Sequence, residues 1–288
     1  MYRIKAILAI FSRYHIISVV GGGGTLSASD ETIVPAGLFK SSSNDSKYPL
    51  HEISKRVGSA VVKINRDDGG TGSGFFVHKD GYLITNAHVI AGDNKLTVTV
   101  YENTDDGLRH SVYKKVKIIA FSTPWDLALL KVMPDKQTQF QTVPLADYTK
   151  LYQGQNVFAI GSPMGLERSV TKGIISVCGR YYQGLLYIQH DTPLSPGNSG
   201  GPLLNMAGEV IGVNNMKSSY YLAEGIGYAI PSAMVKLFID NHEAFAFDQT
   251  HSNQGVRFIQ PPKASTTFLQ NNNVTEKHKI RGQKNDEK

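Results

Sequence analysis

Ser195-Pro196-Gly197-Asn198-Ser199-Gly200-Gly201-Pro202 sets three glycines around one serine. Glycine allows a strained turn whose successive backbone N–H groups point one way while the serine hydroxyl stands clear. That arrangement suits attack on a carbonyl, with the N–H groups holding the oxyanion that develops. The same residues suit a hairpin whose serine bonds only its own backbone, so the motif alone leaves both readings open. A serine nucleophile also needs a base to take its proton and an acid to orient that base.

The loop matches the G-x-S-x-G pattern of nucleophile elbows, which demands a helix after the serine and then an acid and a histidine. Here Gly200-Gly201-Pro202 and the strand-like Glu209 to Val213 follow, and His242, His251 and His278 lie in a terminal helix or polar tail. The elbow reading fails on context. The reverse order, histidine, aspartate, serine, is met upstream. His88 closes the β-rich Leu83-Ile84-Thr85-Asn86-Ala87, and Asp126 opens Leu127-Ala128-Leu129-Leu130-Lys131-Val132. Alone, the one reads equally as a structural histidine and the other as a strand-start aspartate. Together with Ser199 they make a candidate triad.

Six blocks now carry a resemblance: Thr71-Gly72-Ser73-Gly74-Phe75-Phe76-Val77, Gly81 to Val89, Asp126 to Val132, Gly161-Ser162-Pro163, Pro196 to Pro202, and Gly225-Ile226-Gly227-Tyr228-Ala229-Ile230-Pro231. In this order they resemble the trypsin-like serine proteases of the HtrA (Do-like) group, over residues 52–245. The resemblance implies a chymotrypsin-type double β-barrel with the active site between barrels. It makes Ser199 the nucleophile, His88 the base and then acid, and Asp126 the residue that orients His88. It gives the oxyanion to the amides of Gly197, Ser199 and Asn198. It also pairs the substrate main chain with the segment after Ile211. Leu194 and the stretch from Asn214 to Ser218, Lys217 included, approach the specificity pocket. That pocket reads as uncharged and aliphatic, unless the Lys217 ammonium reaches it and favours an acidic residue.

Departures from the family are informative. Asn198 stands where animal zymogens of this kind place an aspartate for a new N-terminus, so activation by that ion pair is not expected. Family members commonly continue into PDZ domains, and the polar stretch after residue 245 is too short to be one. Gly179 to Leu186 is a short connection where relatives carry a longer regulatory loop. A trimer is implied by kinship alone.

These residues must be held by a β framework. Short β-rich runs recur at 57–64, 73–78, 82–85, 95–101, 112–121, 127–132, 155–161, 169–177, 185–190, 202–205, 209–214 and 226–230, punctuated by Gly, Asp, Asn and Pro. One long helix is expected at 232–243, capped by Ser232, with Met234, Val235, Leu237, Phe238 and Ile239 grouped on one side. Strands without intervening helices argue for an all-β fold of closed antiparallel barrels or a sandwich. With the resemblance, the expectation is two six-stranded barrels, 50–140 and 141–231, and a C-terminal helix.

The chain has 288 residues, 41% of them hydrophobic, enough for a sizeable core. Its one cysteine, Cys178, excludes an intrachain disulfide and reads as a small core residue. Without an HExxH motif or a Cys/His cluster, neither metal nor cofactor is expected. The glycines at 70, 72 and 74 match no phosphate-loop pattern. The net charge of +6 is carried by the ends: Arg3, Lys5 and Arg13 near the start, and an excess of lysine and arginine over acid after residue 262. The body is neutral, which argues against nucleic acid as a partner. His190-Asp191 precedes the serine loop, and Asp191 reads as a brace for it.

Residues 1–49 form a leader and polar linker. Arg3 and Lys5 precede apolar residues and Ser27-Ala28-Ser29 resembles a cleavage site, but Arg13 splits the apolar run. Export or membrane association through this segment stays open. Residues 246–288 read as a disordered polar tail. The function expected is a serine endopeptidase acting on protein or peptide substrates, unfolded ones included, with quality control as one role. The alternatives are a latent or silent protease-fold protein that binds peptides, and an esterase using the same triad.

Overall fold

The computed structural model describes residues 48–247 other than 93, 94, 105, 136, 137, 162–168, 183 and 216–224. Residues 1–47 of the expected leader and linker, 248–288 of the expected tail, Ser162-Pro163 and Lys217 lie outside the described residues, whereas 246–247, read as the start of that tail, are paired with the first sheet. Helix α1 (Leu50–Gly58) leads into β1 (Val61–Arg66), β2 (Thr71–His78), β3 (Tyr82–Thr85) and a 3-10 turn, Ala87–Ile90. Then come β4 (Leu96–Thr104), β5 (Gly107–Tyr113), β6 (Val116–Ser122) and β7 (Leu127–Val132). These strands form one antiparallel sheet of seven in the order β5-β4-β1-β2-β3-β7-β6.

The second half contributes β8 (Asn156–Gly161), β9 (Ser169–Tyr182), β10 (Leu185–His190), β11 (Pro202–Asn205), β12 (Val210–Asn214) and β13 (Gly227–Pro231). They close into a six-stranded barrel, β10-β13-β12-β11-β8-β9. Helix α2 (Ser232–Asp240) and a 3-10 turn (His242–Phe245) follow.

Three apolar clusters explain why several strands are hydrophobic on both faces. In β7, Ala128, Leu130 and Val132 belong to the core of the first sheet, whereas Leu127 and Leu129 join a cluster shared by the two halves. Phe76 and Phe75 divide the same way, and Leu83 and Ile84 follow them. The shared layer takes Phe158, Leu204, Val210 and Val213 from the second barrel, whose own interior holds Val157, Ile188, Leu203 and Ile211. A strand between two cores loses the polar alternation of a half-exposed strand. Each buried Phe or Leu contributes roughly 1.5–3 kcal/mol, so the layer that fixes one half against the other is part of the core itself.

The all-β class and the paired barrel-like halves agree with the expectation, and four details differ. The run at 112–121 is two strands, β5 and β6, separated at Lys114-Lys115, which makes the first sheet seven-stranded. Residues 50–58 are helical: Ile53 and Val57 lie one turn apart on a buried face, and β1 begins only at Val61, after the residues read as the start of a strand at 57. Ser232 does not cap α2; Pro231 holds the cap position, and the Ser232 hydroxyl donates to the carbonyl of Ala146 at 2.9 Å. The helix stops at Asp240, and the following residues return to the first sheet. Ala246 bridges Ala120, the N–H of Phe247 donates to Ile119, and the Phe245 ring lies 5.2 Å from that of Trp125.

Candidate active site

Asp126 is the only non-glycine among the described residues with a positive φ, +53°. Aspartate tolerates this left-handed conformation better than branched or bulky residues. The turn aims the carboxylate at the 3-10 turn that carries His88. Its Oδ1 accepts the backbone N–H of His88 at 2.9 Å and its Oδ2 lies 2.7 Å from His88 Nδ1. Asn86 donates its side-chain amide to the Asp126 carbonyl at 2.9 Å, and Asn215 donates to Oδ2 at 3.1 Å. The carboxylate is buried, and three donors offset the desolvation it suffers. With the proton on Nδ1 held by Asp126, the tautomer assigned to a neutral His88 leaves Nε2 as an acceptor.

The serine loop is held as firmly. Ser73, on β2, donates its hydroxyl to the carbonyl of Gly197 at 2.7 Å and its N–H to that of Ser199 at 2.8 Å. Thr85 in turn donates to the Ser73 carbonyl at 2.7 Å. Gly200 N–H donates to Asn214, and Asn214 N–H to Gly201, both at 2.9 Å. Gly200 must be glycine: its φ is +82°, and a Cβ would stand 2.2 Å from Thr85 Oγ1 and 2.3 Å from the Ser73 carbonyl. Gly72 is also close-packed, chiefly against a side chain. A Cβ there would meet Val89 Cγ1 at 2.6 Å and the Ser199 carbonyl at 3.2 Å. The turn of His88 and the loop of Ser199 thus close on Gly72 from two sides, one from each half of the fold.

One expected oxyanion donor is corrected. The N–H of Asn198 donates to the Ser195 carbonyl at 3.0 Å, inside the turn. With the Gly197 carbonyl taken by Ser73, the peptide between Gly197 and Asn198 is fixed at both ends. The Asn198 carbonyl accepts from Gly201 at 3.0 Å. Because a trans peptide points its N–H opposite to its C=O, the Ser199 N–H faces away from that bond. Of the three expected donors, Asn198 is thus committed inside the turn, while the N–H of Gly197 donates to no described residue.

The expected pocket residues divide. Leu194 is half-buried and packs against the cluster of Val157, Ile175, Ile188 and Leu203. Asn214 is wholly buried and donates its amide to the Pro202 carbonyl at 3.1 Å, bracing the serine loop. Lys217 lies outside the described residues. The substrate edge expected after Ile211 is closed as far as Asn214, because β12 pairs with β11 on one side and β13 on the other, and Asn215 N–H continues onto Tyr228.

Asp191 Oδ1 accepts the N–H of Ile174 on β9 at 2.6 Å, a bond to the neighbouring strand rather than to the serine loop it was expected to brace. Burial pushes the Cys178 thiol up, and the Cys178 carbonyl accepts from the Tyr148 hydroxyl at 2.8 Å. Ser73 lies in the Thr71 to Val77 run, where the sequence alone assigns it no role. Asn86 and Asn215 were missed because no local pattern links an asparagine to a backbone carbonyl 40 positions away or to a carboxylate 89 positions away.

A model of the trypsin-like peptidase domain matches residues 72–213. Among curated proteins, the chain is 42% identical over 166 residues to a probable periplasmic serine endoprotease, DegP-like, of Halomonas elongata, covering 56% of this chain and 32% of the relative. It is 41% identical over 180 residues to the protein of the same name in Chlamydia trachomatis, covering 60% and 34%. With the serine protease Do-like HtrA of Bacillus subtilis the identity is 37% over 197 residues, covering 64% and 42%. The chain thus spans about a third to two-fifths of the length of these relatives.

Proposed function

We propose that the chain carries an HtrA-like, trypsin-fold serine peptidase domain, a reading supported by the match to the trypsin-like peptidase domain and by the DegP-like and Do-like relatives, and that it is a serine endopeptidase acting on protein chains through Ser199, His88 and Asp126. The observation that carries the assignment is the double contact of Asp126 with His88, one carboxylate oxygen on the backbone N–H and the other on Nδ1. It fixes both the position and the tautomer of a base whose turn meets Gly72, as the glycine-framed Ser199 also does.

In the proposed reaction Ser199 Oγ attacks the scissile carbonyl carbon while His88 Nε2 takes the hydroxyl proton. The carbonyl π electrons move onto oxygen, and the N–H groups of Gly197 and Ser199 receive the oxyanion. Asp126 stabilises the imidazolium and keeps its own charge. Collapse breaks the C–N bond, and the amine leaves with the proton from His88. A water, deprotonated by His88, then attacks the acyl-enzyme and releases Ser199.

Substrates are protein chains, with quality control of unfolded protein as one role. The domain spans residues 50–245 in this reading. The periplasmic names of relatives support export. The test is cleavage of a reductively unfolded protein by wild type and Ser199→Ala. Fragments from the wild type alone support the reading; fragments from both, or turnover of small esters without protein cleavage, refute it.

A further inference from the structure

His88 rides on a single 3-10 turn of four residues, and the N–H of Ala91 reaches the His88 carbonyl only at 3.4 Å. So short a turn has weak hydrogen-bond geometry of its own, and its last carbonyls call for outside donors. Arg66, at the end of β1, supplies them. Its Nη1 donates to the Ala91 carbonyl at 3.1 Å and to the His88 carbonyl at 3.4 Å. The other side of the guanidinium is gripped by Asp68, with Nε donating to Oδ1 at 3.0 Å and Nη2 lying 2.9 Å from Oδ2. Such a two-pronged pair fixes the plane of the guanidinium as well as its place. Asp68 is itself held, because its Oδ1 accepts the N–H of Gly70 at 2.9 Å.

Gly70 leaves room for this guanidinium, which a side chain there would push aside. Its φ is outside the left-handed region, so no turn demands glycine there, yet a Cβ would stand 2.5 Å from both Nε and Nη2 of Arg66. The same hairpin also holds the far end of the His88 loop. Asp67 N–H donates to the Lys95 carbonyl, and Lys95 N–H returns to Asp67 Oδ1, both at 3.2 Å. Residues 66 to 70 thus build a bracket that holds the base's turn at His88 and Ala91 and the chain beyond it at Lys95.

We propose that Arg66 is a positioning residue: it holds the backbone carbonyls of His88 and Ala91, and through them the aim of the imidazole on Ser199. Asp126 fixes one edge of the ring, and Arg66 fixes the turn from which the ring projects. It touches no reacting atom. The inference rests on the serine-peptidase reading of His88 and deepens it.

The test compares wild type, Arg66→Ala, Arg66→Lys and Gly70→Ala, each confirmed folded by its thermal transition. Kinetics on a peptide substrate are paired with the downfield proton resonance of His88 Nδ1. Misplacement of a catalytic group by about 1 Å costs up to ~10²-fold, so R66A and G70A should lose about ten- to a hundredfold in kcat with KM unchanged, and the resonance should move. G70A keeps the charge and displaces only the guanidinium. R66K should fall between, since an ammonium reaches a carbonyl without the fork to Asp68. Folded R66A and G70A with wild-type kcat and an unmoved resonance overturn the proposal. Should the wild type show no turnover that Ser199→Ala abolishes, the peptidase reading fails by itself. The resonance then decides alone: displaced in R66A it upholds the anchoring, unmoved it overturns it.

Discussion

Asn215 donates its side-chain amide to Asp126 Oδ2 at 3.1 Å, the same oxygen that lies 2.7 Å from Nδ1 of His88. Asp126 and His88 belong to the first half of the fold, and Asn215 follows β12 of the second. Its own N–H is fixed on Tyr228 of β13. The carboxylate therefore takes its position from both halves, and the orientation of the base depends on how they dock.

Asn215→Ala should lower kcat/KM by about tenfold, since a hydrogen bond to a charged group is worth about 1.5–3 kcal/mol and water replaces part of it. Steady-state kinetics on one peptide substrate measure this. An unchanged value would mean that the carboxylate is held sufficiently by His88 alone.

Asp126→Asn keeps the shape of the site but offers Nδ1 a competing donor, which favours the wrong imidazole tautomer. The expected loss in kcat is about 10⁴, with a thermal transition close to wild type. Comparable activity in a folded variant would separate Asp126 from the reaction.

Gly200→Ala brings a Cβ against Thr85 Oγ1 and the Ser73 carbonyl at a residue with φ of +82°. Overpacking and left-handed strain together should cost roughly 2–5 kcal/mol, read from the denaturant midpoint at unchanged slope. Activity should fall with it, because relief of the clash moves Ser199 off Ser73. A variant of wild-type stability would show that the loop closes less tightly than described.

His190 is wholly buried at the end of β10, its ring against Gly227 and neither ring nitrogen hydrogen-bonded. Burial lowers its pKa from 6.5 to about 4; the Asp191 carboxylate and the Tyr228 backbone, near the ring but outside hydrogen-bond geometry, pull the other way. In the unfolded chain the group takes a proton near 6.5, so between there and 4 the unfolded state binds more protons. Stability from this site is complete above about 6.5 and falls as pH drops toward 4, by at most ~3 kcal/mol. Denaturant midpoints across this window should show the loss in wild type and a smaller one in His190→Met. An equal loss in both would place the acid sensitivity elsewhere.

The serine loop, His88 and Asp126 were legible because glycine spacing, strand punctuation and residue order are local signals. The shared apolar layer was legible only as hydrophobic runs, since neither Leu127 nor Ala128 declares which of two cores it faces. Helix α1 was misread at its end because Val57 is β-branched and close to Val61, and only the burial of Ile53 one turn earlier shows the helical face. Asn215 was illegible for a different reason. Its partner lies 89 positions away, and only the docking of the halves brings them together. Asn198 failed as a donor because the direction of a peptide N–H is set by its partners, here Ser73 and Ser195, and not by residue type.

The most direct test of Ser199 as a nucleophile served by His88 is covalent labelling with a fluorophosphonate. Intact mass would be read for wild type, Ser199→Ala and His88→Ala, each confirmed folded. One probe adduct on the wild type and none on either variant is the expected result. A folded wild type that stays unlabelled, or a Ser199→Ala protein that labels equally, would contradict it.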